Sequence, residues 1–362
     1  MTIESAPPLS ASLMGVLRLP DVRGTSFLTH VRGGGLVWSV RREDGRFDTW
    51  AVSPSLGLTA ILSRLGAPVS ALAELPGGAW ALAVGARILV VDAQTRAVIK
   101  TLRGHRRGGI IWSLTSVSGD RLVSRSTDGT ARLWNITRSR ELHQLDAGQI
   151  LGAEVGADPN DPEAVLVLTR PEPSDPGVVA LRDLARDGLQ RPLQRLTPEG
   201  SGAMSCAAAL RPGTSELVTA LTPRGDTGAT TTLSRWVNGV EQVLCLRPTR
   251  RAGVAALNEL FFPTPDRLMA LGAKDAVLVE LETGALRDDV RAYRVTSSGL
   301  ALVEEAAVLD LNTGARLLLP SGILRTPKVL GASSLAEDGA SFALGAGDEL
   351  VGWRLHRSPR RR

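Results

Sequence analysis

The chain has 362 residues, 43% of them hydrophobic, enough for one large domain or two ordinary ones. Its formal charge is +5, but Arg354, Arg357, Arg360, Arg361 and Arg362 supply that whole excess with no acidic residue among them, so the body is neutral and only its end is basic. Cys206 and Cys245 are too few for a disulfide framework and no stretch approaches the length of a membrane span, so a cytoplasmic protein without membrane contact is expected.

Taken in order, residues 1–12 read as a flexible lead-in, with Pro7-Pro8 and Glu4 where a secretion signal needs basic and then apolar residues. Met14 to Leu19 is an apolar stretch with strand character. Thr25 to Val31, Leu36 to Arg41, Arg46 to Val52 and Ala60 to Leu65 then form a meander of short strands separated by glycine turns. Arg32-Gly33-Gly34-Gly35 lacks the Lys and Ser/Thr of a phosphate loop and opens no helix, so it reads as a hairpin turn. The ending of the third strand, at Trp50, is followed by a similar ending at Ile88 to Asp92, with Thr95 behind it.

The next unit is the most informative. Leu102-Arg103-Gly104-His105 is followed by Ile110 to Val117, Arg121 to Ser124, Asp128-Gly129 and Leu133-Trp134-Asn135. This segment resembles a WD repeat, which opens on a Gly-His pair, turns on Asp-Gly and closes on Trp-Asp; here Asn135 stands for the closing Asp. The resemblance implies a buried structural tetrad in which Asp128 fixes the His105 imidazole, the imidazole meets the Ser124 hydroxyl, and that hydroxyl receives the Trp134 indole N–H. A Ser-His-Asp catalytic triad is the competing reading, but it needs an exposed nucleophile and an oxyanion site.

Further endings follow at Val179 to Asp183, Leu233 to Trp236, Val277 to Glu280, Val308 to Asp310 and Leu350 to Trp353. Most are spaced by about forty residues, the length of a four-stranded propeller blade. The unit between Val279 and Leu309 is short, holding strands at Arg291 to Thr296, Leu300 to Glu304 and Ala306 to Leu311. The resemblance therefore implies an all-β, closed β-propeller of four-stranded antiparallel blades: eight, or seven if the short unit is incomplete. The apolar stretch before the first blade is expected to supply the missing strand of the last. On this reading residues 13–356 are one domain and residues 357–362 a basic, solvated tail.

Two insertions, Arg170 to Gly177 and Thr222 to Ala229, lengthen adjacent units and should share a face with Arg106-Arg107 and Arg247 to Gly253. The candidate partner-binding residues are Arg106, Arg107, Arg170, Glu172, Asp175, Arg224, Asp226, Arg250 and Arg251, whose arginines suit acidic protein surfaces. His30, His143 and His356 are isolated in the sequence and form no metal-ligand spacing, so neither metal nor cofactor is expected. The function expected from the WD-repeat resemblance is a non-catalytic scaffold for other proteins in a larger complex. A hydrolase- or lyase-type propeller enzyme and a nucleic-acid-associated module using the basic tail are the alternatives. The arginine-rich composition, with Lys100, Lys274 and Lys328 the only lysines, points to a GC-rich bacterial genome.

Overall fold

The computed structural model describes residues 9–117, 120–146, 156–158, 161–169, 180–183, 192–195, 204–211, 214, 216–223, 230–237, 240–248, 257–272, 276–287, 292–295, 300–303, 307–310, 316–318, 332–336, 340–346 and 348–357. Among them every regular element is a strand, and no helix is long and apolar enough to cross a membrane. The strands assemble into eight four-stranded antiparallel sheets, seven of which follow chain order. The first sheet contains Val22–Val31, Gly35–Arg42, Phe47–Val52 and Leu58–Leu65, close to the four strands the alternation predicts.

The recurring endings mark one strand of each sheet. Trp50, Asp92, Trp134, Asp183, Trp236, Glu280, Asp310 and Trp353 each lie on the third strand of their sheet. The short unit is a complete sheet, with strands Ala292–Val295, Leu300–Val303, Ala307–Asp310 and Arg316–Leu318.

The eighth sheet is the exception to chain order. Its outer strand is Leu9–Arg18, paired with Glu349–Arg357 from Leu9 opposite Arg357 to Arg18 opposite Glu349. This moves both expected boundaries: residues 9–12 belong to a strand rather than a flexible lead-in, and Arg357 belongs to the last strand rather than the tail. Leu9, Ser10, Ala11 and Ser12 carry a weak hydrophobic signal, and what orders them is the row of backbone donors and acceptors on the facing strand. Residues 1–8 and 358–362 lie outside the described residues.

Neighbouring sheets pack face to face, which explains strands that are apolar on both sides. Val31, Val37 and Ala51 of the first sheet meet Val69, Trp80 and Leu82 of the second. Ala81, Ile88 and Leu102 of the second sheet share a core with Ile111, Leu122 and Trp134 of the third. The fifth and sixth sheets join through Val218, Leu233, Leu268 and Val277. The first sheet also packs on the eighth, where Leu28, Trp38 and Val40 meet Ala343 and Leu350.

Polar clasps reinforce the eighth sheet and its junction with the first. Within the eighth sheet the Arg18 Nε donates to Glu349 at 2.8 Å, and Ser12 is hydrogen-bonded to the His356 ring at 2.9 Å. His30 bridges the two sheets: its backbone N–H donates to Ser334 Oγ at 2.8 Å, while its ring nitrogens lie 2.9 Å from Ser334 Oγ and 3.1 Å from Ser341 Oγ. A histidine isolated in the sequence therefore has its partners about three hundred residues away in the chain.

Candidate functional site: a loop fixed by a buried hydrogen-bond chain

His105 follows the outer strand Val98–Arg103 of the second sheet, at the start of the loop that crosses to Ile111–Ser116 of the third. Ser124 lies on the second strand of the third sheet, Asp128 in the turn beyond it, and Trp134 on the third strand. His105 Nδ1 is 2.9 Å from Asp128 Oδ2, His105 Nε2 is 2.7 Å from Ser124 Oγ, and Trp134 Nε1 donates to Ser124 Oγ at 2.8 Å. The Arg106 backbone N–H donates to the same Asp128 oxygen at 2.9 Å, and the Thr130 hydroxyl donates to the other at 2.8 Å.

Protonation follows from this environment. Burial is the largest influence on His105 and lowers its pKa, outweighing the opposing pull of the Asp128 hydrogen bond and charge. The imidazole is accordingly neutral at pH 7: Nδ1–H donates to Asp128 and Nε2 accepts from Ser124. Burial would raise the Asp128 carboxyl, but hydrogen bonds from the Arg106 N–H, Thr130 and His105 more than offset it and hold that pKa well below the carboxylate range. Ser124 is fully buried and its oxygen already receives the indole N–H, so it cannot meet a substrate. Among the described residues no group of three or more His, Cys, Asp or Glu could hold a metal ion.

Gly104 is required by close approach. A Cβ there would lie 2.8 Å from Trp134 Cη2, 2.8 Å from Glu141 Oε2 and 2.9 Å from Arg132 Nη1. The Gly-His pair thus brings the chain against the indole edge so that the imidazole can enter behind it.

Other sheets use part of the same device. Trp50, Trp134, Trp236 and Trp353 stand opposite Trp38, Leu122, Leu217 and Phe342, and the decisive residue lies two further along that second strand. In the fifth sheet it is Thr219, which receives the Trp236 N–H at 2.9 Å. In the first and eighth it is Val40 and Leu344, and there the indole nitrogens of Trp50 and Trp353 are buried with no acceptor among the described residues. Trp353 is held instead by stacking on Phe342, with ring centroids 5.3 Å apart.

The anchored loop presents a surface. Arg106 and Arg107 are exposed, and beside them Ile110 and Trp112 are 51% and 38% exposed. The Arg125 guanidinium lies 4.3 Å from the Trp112 ring centroid and donates to Ser113 Oγ at 2.9 Å. Sequence reasoning missed Ile110 and Trp112, although Ile110-Ile111-Trp112 at a strand entry alternates in a way that must turn two of the three outward. The other candidate partner-binding residues, Arg170, Glu172, Asp175, Arg224, Asp226, Arg250 and Arg251, lie outside the described residues.

No protein-family model and no curated protein matches the chain. Solved structures do: the C-terminal WD40 domain of Sif2 superposes with a TM-score of 0.66 at 14% identity, covering 94% of this chain and 98% of that one. The fold is that of a WD40 domain. A chain of the mitotic checkpoint complex superposes with a TM-score of 0.58 at 13% identity over 98% of this chain and 94% of its own. In this chain the four-residue hydrogen-bond chain is complete in the third sheet and reduced to a Trp–Thr pair in the fifth.

Proposed function

We propose that the protein is a non-catalytic, cytoplasmic scaffold whose eight sheets close as the blades of one ring, and that it helps assemble a larger complex through its loop surfaces. One observation carries the reading. An exposed isoleucine follows two exposed arginines on a loop whose base is locked by a buried hydrogen-bond chain, and an exposed tryptophan stands at the start of the strand that the loop enters. Aromatic and arginine side chains dominate binding energy at protein interfaces, and a pre-ordered loop loses little entropy on docking. The occupancy of a multiprotein complex by one structural neighbour supports protein partners in general.

The test is a quantitative pull-down from the native host, comparing the wild type with Trp112→Ala and with Arg107→Glu. Trp112→Ala should weaken capture of a specific partner by about tenfold or more, as loss of a central aromatic anchor does. Full retention of every captured protein by both variants would remove this surface from consideration.

A further inference from the structure

At the strand ends opposite the Arg106 loop, a cavity of about 400 Å³ opens between the first and second sheets. Its rim is built from tight turns at Arg32 to Gly35 and Pro76 to Gly78, with Trp80 and Arg96 in its wall. Two of its charged groups satisfy each other: the Arg32 backbone N–H donates to Glu74 at 2.5 Å and its Nε lies 3.2 Å from the same carboxylate.

Arg96 is different. Its guanidinium lies 4.5 Å from the Trp80 ring centroid, and its Nη1 is buried with no hydrogen-bond acceptor among the described residues. The Asp92 carboxylate at the start of the same turn directs Oδ1 to the backbone N–H groups of Gln94 and Thr95 and to the Thr95 hydroxyl. Burial lowers the Arg96 pKa from its ordinary value, as expected of a cation deprived of water and given no full compensation.

The backbone makes this arginine harder to explain as packing. Arg96 has φ +62°, in a turn closed by its N–H on the Asp92 carbonyl at 2.9 Å. The sixth sheet builds the same turn with Gly284, φ +67°, whose N–H reaches the Glu280 carbonyl at 2.8 Å. Glycine adopts this conformation freely, whereas an arginine is strained there. The chain thus holds a long cationic side chain at a position taken by glycine in the sixth sheet and by Ser139, φ +52°, in the third, with one of its donors buried and unpartnered among the described residues in the wall of a cavity.

We propose that this cavity is a recognition pocket for a carboxylate carried on an extended peptide segment of a partner protein, with Arg96 as its anchor and the Trp80 face fixing the plane of the guanidinium. A planar guanidinium held in one orientation suits a carboxylate's two oxygens. The glycine rim favours a peptide over a free small acid: a Cβ at Gly33, Gly77 or Gly78 would meet nothing within 4 Å, so another backbone can come close. This site is independent of the Arg106 and Trp112 surface, which lies at the other ends of the strands.

The fold and the pocket can be separated experimentally because glycine fits the Arg96 backbone better than arginine does. Peptides from a random library displayed on phage are selected on the full chain, and their affinities are measured for the wild type, Arg96→Gly and Arg96→Asn, asparagine also tolerating this conformation. The expected result is enrichment of Asp or Glu in the selected peptides and at least about thirtyfold weaker binding to both variants, with melting temperatures no lower than the wild type's. Selected peptides that bind both variants as tightly as the wild type, or a selection without acidic enrichment, would overturn the proposal.

Discussion

At the scale of single residues, the molecule shows what a buried indole nitrogen needs. Ser124 and Thr219 receive Trp134 and Trp236, while Val40 and Leu344 occupy the matching positions beside Trp50 and Trp353 and receive nothing. Val40 is fully buried, so adding a lone hydroxyl there would ordinarily cost about 1–3 kcal/mol. In Val40→Thr the new hydroxyl faces the unpaired Trp50 N–H, and we expect stability within about 0.5 kcal/mol of the wild type or above it by urea denaturation. The histidine chain makes a second prediction. His105 and Asp128 both have folded pKa values below their ordinary 6.5 and 3.8, so the unfolded chain binds more protons once the pH drops below those values. Their contribution is fully present above about pH 6.5 and is lost as the pH falls, first through the His105 range and then through that of Asp128. Urea midpoints at about pH 7.5 and 5.5 should therefore fall more for the wild type than for His105→Gln, whose amide takes up no proton. Equal falls would refute a buried neutral imidazole.

At the scale of elements, the third strand of each sheet is the most legible part of the sequence. It carries a Trp or an acidic residue, and where its side chains are described, as in Thr130–Asn135 and Ala276–Glu280, most of those before the acidic or amide end are buried. The His105 loop was legible for a similar reason: Gly104-His105 and Asp128-Gly129 need residue types that nothing else supplies. Gly104→Ala tests that directly. The new methyl would press on the Trp134 ring, which its hydrogen bond to Ser124 prevents from turning aside, and a loss of about 1–3 kcal/mol in unfolding free energy is expected. The outer strands were less legible. Leu9–Arg18 begins earlier than its apolar residues suggest, because an outer strand is ordered chiefly by backbone pairing.

At the scale of the whole molecule, the junction of the first and eighth sheets governs the proposed ring. Leu9–Arg18 covers the edge of Glu349–Arg357, and His30 ties the neighbouring sheet to Ser334 and Ser341. Removing residues 1–18 should uncover a nine-residue strand edge, lower the melting temperature and produce oligomers in size-exclusion chromatography, since an open edge is a template for pairing. A truncated chain that stays monomeric with an unchanged melting temperature would show that this strand seals nothing. A low-resolution electron-microscopy map decides the ring itself: eight lobes around a channel are expected, and two separate lobes would refute it.

The sequence alone determined the all-β class, the meander unit and its repeat length, because each rests on local periodicity and turn residues, while the four residues from His105 to Trp134 were legible through the resemblance of their segment to a WD repeat. Tertiary structure alone decided that His30 would find two serines of the eighth sheet, and that Ile110 and Trp112 would stand beside Arg106 and Arg107. It likewise placed Arg96 over Trp80 at the rim of a cavity between two sheets. Those arrangements depend on distances between segments far apart in the chain, and a one-dimensional pattern carries no such distances until backbone pairing and face-to-face packing have fixed them.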